Sequence, residues 1–356
     1  MSLGVITVNF GEPANPSLEE VTAFLERIFQ VNANLEPSAD EDASRRRSRE
    51  LAERRAPGLI EEYRLIGSSP NNPQADAQAV ALGIELERRG VAAKVYSAFQ
   101  FTPPLVADVV RTAREDGIQE LIGVPVYPLC GPSTNVAALD AVRSALDEQG
   151  WKVSFRGATG WHRHPLYLEL RADAVRETVH RDGVDLQDTD TLMIFSAHGT
   201  PKKYLDAGSR YVEYVEDFCR EMAGRLGLAR YEIGYQNHTN RRIEWTAPDV
   251  GEVVKSARAK RVVVDPISFM HEQSETLAEL DHELREEAEE VGLEFHRVPV
   301  PHDDPRFARV LGDMVEAARA GRGTRSELPA TGVCRCRPTG DTYCMNGLGS
   351  EQRLRT

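Results

Sequence analysis

Positive charge is in short supply. Lysine and arginine number 43 against 56 aspartates and glutamates, a formal charge of −13 at pH 7. A surface of that sign repels a phosphate backbone, so nucleic acid is excluded as a natural partner. Long apolar runs are missing as well, and nothing approaches the roughly 18 consecutive apolar residues of a membrane span. The opening Met1-Ser2-Leu3-Gly4-Val5-Ile6 has no basic-then-apolar leader and enters a strand pattern directly. The expectation is a cytoplasmic protein, at most peripheral to a membrane, monomeric or homodimeric. Cysteine is scarce, at 5 in 356 residues, and a reducing compartment disfavours disulfides among them. Cys130 and Cys219 fall in the body, whereas Cys334, Cys336 and Cys344 crowd the tail.

The pattern that is present alternates. Apolar runs at Val5–Phe10, Ala93–Ser97, Glu120–Pro125, Val153–Arg156, Thr191–Phe195, Tyr231–Tyr235, Arg261–Val264 and Glu294–Val298 read as buried strands. Amphipathic stretches such as Ala75–Arg89, Leu166–Val179, Val212–Leu226 and Thr276–Val291 lie between them. Strands separated by helices indicate βαβ units and parallel sheets. Four strands precede Gly157 and four follow it, so two similar α/β halves are expected, each a four-stranded parallel sheet flanked by helices. The boundaries fall at 1–157, 158–321 and a Cys-rich tail, 322–356, broken into loops by glycine and proline.

Two motifs stand at predicted strand ends: Phe195-Ser196-Ala197-His198-Gly199-Thr200-Pro201 and Pro266-Ile267-Ser268-Phe269-Met270-His271-Glu272-Gln273-Ser274-Glu275-Thr276-Leu277. In an open α/β sheet the carboxyl ends of the strands line one crevice, so a histidine and a carboxylate there can face one ligand. Together they can move protons and bind a metal ion. Taken singly, each residue has an ordinary explanation. A strand-end histidine can be a structural hydrogen bonder, and Glu275 a first-turn acid favoured by the helix dipole. Trp245 can be core packing, and Arg55 a solvated surface charge.

The set as a whole resembles the ferrochelatase family over nearly the full length. Val8-Asn9-Phe10-Gly11-Glu12-Pro13 is similar to the family's first strand and loop. Arg54-Arg55-Ala56-Pro57 with Tyr63 through Pro70 resembles its porphyrin-edge segment, Tyr127-Pro128 with Ser133-Thr134 a third loop, and Tyr235-Gln236-Asn237 and Trp245 through Val250 later ones. The resemblance implies two flavodoxin-like chelatase halves and insertion of Fe²⁺, a substrate, into protoporphyrin IX to form protohaem. It implies His198 as central base or metal ligand, Glu275 facing it as a second metal ligand, and Glu272 as a further acid in a relay. Arg55, Tyr63 and Ser69 would hold propionates, since arginine with hydroxyl donors makes a carboxylate clamp. Tyr127 and Trp245 would touch the macrocycle. The chain departs from the family where Asp-His usually precedes the glutamate: Glu272-Gln273 stands there, an amide for an imidazole. Phe10, where relatives place Met or Tyr, cannot ligate. The alternatives are a coproporphyrin III ferrochelatase, a chelatase for another tetrapyrrole, and a non-catalytic haem or iron carrier. Transient contact with a membrane or a haem-pathway protein also fits.

The clustered tail thiols suit a metal better than a disulfide, either zinc or iron–sulfur. The resemblance implies a [2Fe–2S] cluster on Cys334, Cys336 and Cys344 plus one body cysteine. Leu170 stands where animal enzymes carry that cysteine. Cys219 is the favoured fourth ligand, because the first and last helices of such a half usually share a face, and Cys130 is the alternative.

Overall fold

All eight expected strands form in the computed structural model, which describes residues 2–35, 40–238, 243–321, 332–333 and 340–345. They are β1 (Leu3–Asn9), β2 (Ala93–Phe99), β3 (Glu120–Pro125), β4 (Ser154–Thr159), β5 (Thr191–His198), β6 (Tyr231–Gln236), β7 (Arg261–Pro266) and β8 (Glu294–Arg297). Two short strands follow in the tail, β9 (Gly332–Val333) and β10 (Thr342–Cys344).

The first sheet runs β2-β1-β3-β4-β10-β9 and the second β6-β5-β7-β8, so the two halves repeat one strand order. All pairings within β1–β8 are parallel. Parallel strands covered by helices on both faces need unbroken apolar runs. The central strands meet that demand: every residue of β1 is buried, and so is every residue of β5 except His198 at its end.

The tail is where the expectation of two four-stranded sheets falls short. Strand β10 adds in parallel to β4, and β9 adds antiparallel to β10. Arg143 fixes this addition by donating to Asp341 through Nε at 3.1 Å and Nη2 at 2.7 Å. Cys344 and Met345 enter the core. The last helix, Pro305–Arg319, also crosses over. It packs on β3, β4 and the helix Asn71–Arg88, so it covers the first sheet although the sequence assigns it to the second half. Among the described residues no helix is long and apolar enough to cross a membrane.

Candidate active site

The carboxyl ends of β1, β3, β5 and β7 open onto one cleft. Its walls are mainly apolar, with Phe10, Phe24, Ile28, Leu59, Phe101, Leu129, Phe269 and Met270 among the lining residues. His198 ends β5 and reaches Glu275 Oε1 with Nε2 at 2.9 Å. Its other nitrogen lies 2.6 Å from the Gly199 carbonyl, which makes Nδ1–H the donor and leaves Nε2 facing the cleft. The backbone is held too: His198 N–H donates to Ser268 Oγ at 2.8 Å, and Tyr211 donates its hydroxyl to the His198 carbonyl at 2.9 Å. Burial by itself would lower the His198 pKa. The Glu275 charge and hydrogen bond outweigh it, and the pKa rises to about 9.

Glu275 sits in the first turn of the helix Ser274–Leu277. Burial disfavours its charge, but His198, His238 and the Gln273 amide together hold its pKa below the usual carboxylate range. Gln273 Nε2 donates to Glu275 Oε2, and Gln273 Oε1 accepts from Asn71 Nδ2 at 2.9 Å. The Gln273 amide thus holds the carboxylate in place.

The expected helix Thr276–Val291 is interrupted by a π-helical stretch, Glu279–Leu284, a distortion frequent at functional sites. It lies one turn past Glu275, and its first residue, Glu279, joins the cleft. Glu279 accepts from Gln236 Nε2 at 3.0 Å. Burial, reinforced by the Glu275 charge, pushes its pKa up to about 8.

A second histidine arrives from the end of β6. His238 Nε2 lies 3.8 Å from Glu275 Oε1, and its ring meets that of His198 edge-on at 5.2 Å. Among the described residues His198, His238 and Glu275 form a group able to hold a metal ion, their donor atoms within 4.8 Å of one another. Gly199 permits this approach. It donates to the Gln236 carbonyl at 2.7 Å, and a Cβ there would stand 2.0 Å from Asn237 Oδ1.

Known proteins resemble this chain in sequence and fold. The sequence profile described as Ferrochelatase covers residues 2–319. The chain belongs to the ferrochelatase family. Ferrochelatases of Thermosynechococcus vestitus and Aquifex aeolicus are 32% and 31% identical to it. The alignments cover 89% of this chain in both cases, and 82% and 99% of those relatives. The solved structure of SirB from Bacillus subtilis with Fe³⁺ shares the fold, with a TM-score of 0.51 at 10% identity over 90% of this chain and 98% of that one. Ferrochelatases are enzymes that insert a metal into a porphyrin.

Within this ferrochelatase, several residues expected at the site stand elsewhere. Glu272 is not among the cleft-lining residues. It accepts from Arg297 Nη1 at 2.8 and 3.0 Å and from the Val300 N–H at 2.9 Å, which fastens the second motif to the segment after β8. The glutamates that do line the cleft are Glu12, Glu62, Glu275 and Glu279. Tyr63 and Ser69 also leave the cleft wall. Both donate to Glu12, a carboxylate only 3% exposed, which receives the Ser274 N–H at 3.2 Å and hydroxyl at 2.5 Å as well. Burial, then the Glu275 charge, raises the Glu12 pKa despite these donors. Arg55 lines the cleft and pairs with Glu62 at 2.8 Å. Tyr127 lines it and donates to Gln100 Oε1 at 2.5 Å. Trp245 lines it with its ring edge toward His238 at 5.4 Å.

Cys219 is fully buried in the helix Tyr211–Leu226, which packs on β6. Cys344 lies on the first sheet, to which the last helix carries the chain, and Cys130, Cys219 and Cys344 all belong to one buried cluster. Cys344 stands in register with Thr159, whose hydroxyl contacts Cys130 Sγ at 3.8 Å. Cys334 and Cys336 lie outside the described residues.

Proposed function

We propose that this ferrochelatase inserts Fe²⁺ into protoporphyrin IX to form protohaem. The His198–Glu275 pair, set in the wall of a mainly apolar cleft, carries this reading. Insertion requires two pyrrole N–H protons to leave while a hydrated metal sheds its waters. His198 Nε2 and the Glu275 carboxylate offer a nitrogen and an oxygen for the ion. Glu279 lies next along the same face, and burial with the Glu275 charge raises its affinity for a proton. The apolar walls match a flat macrocycle with vinyl groups, and Arg55 can exchange Glu62 for a propionate. Among the described lining residues Arg55 is the one arginine and there is no lysine. That provision suits the two propionates of protoporphyrin IX better than the four of coproporphyrin III. Anaerobic turnover of Fe²⁺ with each porphyrin tests this, and kcat/KM for protoporphyrin IX is expected to be the larger. A reversed preference would replace the porphyrin, and no turnover of either would favour a carrier or another tetrapyrrole.

The same reading gives the tail a [2Fe–2S] cluster. The described thiols fit one: Cys344 and Thr159 are strand partners, and Thr159 touches Cys130. Cys130 therefore replaces Cys219 as the body ligand, alongside Cys334, Cys336 and Cys344. Bound there, a cluster would fasten the tail to the edge of the first sheet. Protein carrying Cys130→Ser, purified without oxygen, is expected to lose acid-labile sulfide and the visible thiolate-to-iron bands. Cys219→Ser should keep both. The opposite result returns the role to Cys219.

A further inference from the structure

We propose that His238 is the third protein ligand of the metal ion received at this site, completing a two-imidazole, one-carboxylate triad with His198 and Glu275. The proposal rests on the reading of His198–Glu275 as the metal-receiving end of the cleft. At 3.8 Å from Glu275 Oε1, His238 Nε2 is too distant for a hydrogen bond. It stands close to the spacing of two ligands on one ion. Metal–ligand bonds of about 2.1 Å place neighbouring donors about 3.0–3.4 Å apart. The two measured edges, 2.9 Å for His198 and 3.8 Å for His238, bracket that span. The third edge, between the two imidazole nitrogens, lies within 4.8 Å, so movements on the order of an ångström close the triad.

The surroundings orient the rings for this purpose. His198 and His238 meet at an interplanar angle of 66° with ring centroids 5.2 Å apart, and one nitrogen of each lies within 4.8 Å of the other and of a Glu275 oxygen. Phe269 backs His198 at 6.3 Å and Trp245 backs His238 at 5.4 Å, which puts apolar walls behind the ligands. Two imidazoles and one carboxylate suit a first-row divalent ion such as Fe²⁺, Co²⁺ or Zn²⁺, and leave coordination positions open on one side. Those positions keep waters until pyrrole nitrogens replace them. The triad thus gives the ion a defined seat before transfer.

Metal binding without porphyrin tests this. Metal-free protein is titrated anaerobically with Co²⁺ and followed by visible d–d absorption. Cu²⁺ serves as a second probe, with pulsed EPR counting coordinated imidazoles. Losing even an outer partner of a ligand costs about 10–100-fold in affinity, so His238→Ala is expected to weaken Co²⁺ at least about 100-fold. Its imidazole count should fall from two to one. His238→Gln fills the space against Trp245 and is expected to behave in the same way, and it takes over the test where the alanine variant fails to fold. Unchanged affinity and two imidazoles in a folded variant overturn the triad. Wild type that binds Co²⁺ through two imidazoles but metallates no porphyrin keeps the triad and removes the proposed function. Wild type that metallates porphyrin, with a His238 variant that binds Co²⁺ normally, does the reverse.

Discussion

His198→Ala is expected to reduce kcat for Fe²⁺ insertion by about three orders of magnitude, within the range that a positioned acid–base group contributes. The reason is local. His198 Nε2 is the nitrogen that the Gly199 carbonyl leaves facing the cleft, and Glu275 is within 2.9 Å of it. Alanine removes the nitrogen and leaves the Glu275 carboxylate without its principal counter-charge. Neighbouring β5 residues are buried and paired to β6 and β7, so the strand should persist. Porphyrin affinity, which depends on the apolar walls, should therefore change far less than turnover. Stopped-flow metallation beside fluorescence titration of porphyrin separates the two. Retention of a tenth or more of wild-type kcat would take His198 out of the chemistry.

The fold was legible in the sequence because parallel strands buried on both faces demand runs such as Leu3–Asn9 and Thr191–Phe195. His198 and Glu275 were legible because a strand end in such a sheet faces the common cleft. The same rule applied to β6 and β1 points to His238 and Glu12, which carry no motif of their own. Glu279 had a signal in its spacing of four from Glu275, which puts both on one helical face. Glu272 was misplaced for a physical reason. Adjacent residues in a turn point in different directions, and Arg297 with the Val300 N–H decides where Glu272 goes. Tyr63 and Ser69 answer to Glu12, a partner more than 50 positions away along the chain. Local pattern carries no trace of such contacts. The tail was misjudged because the helix Pro305–Arg319 leaves its own half, a tertiary choice that periodicity does not express.

These corrections change how the site works. Gln273 looked like a gap in a relay. Its amide instead spans Asn71 and Glu275, and so ties the helix Asn71–Arg88 of the first half to the carboxylate of the second. Gln74 and Gln78 extend the tie from the same helix, accepting from the Glu272 N–H and donating to the Met270 carbonyl. Residues 71, 74 and 78 share one helical face. The second motif is therefore oriented by an amide-bearing helix, and under the proposed function proton removal falls to carboxylates such as Glu279.

Glu275→Gln should expose that division of labour most clearly. In metal-free protein the His198 imidazole titrates near 9 because the Glu275 charge overcomes burial. An amide of the same shape removes that charge and leaves the burial, opposed by the Gly199 hydrogen bond and the Glu279 charge, so the imidazole pKa should fall from about 9. The sign is definite: removing the Glu275 charge moves the His198 pKa downward. Glu279 should follow downward from about 8, since the Glu275 charge is one of the causes that raise it. NMR titration of the His198 ring in metal-free protein reads the first shift, and the Glu279 side-chain carbonyl resonance reads the second. Turnover is expected to fall by about 10²-fold even though the imidazole loses its proton more readily, because the ion's anionic oxygen ligand becomes a neutral amide. An unshifted His198 would mean that Glu275 does not govern the imidazole. A shifted His198 with undiminished turnover would mean that the carboxylate serves only to tune it.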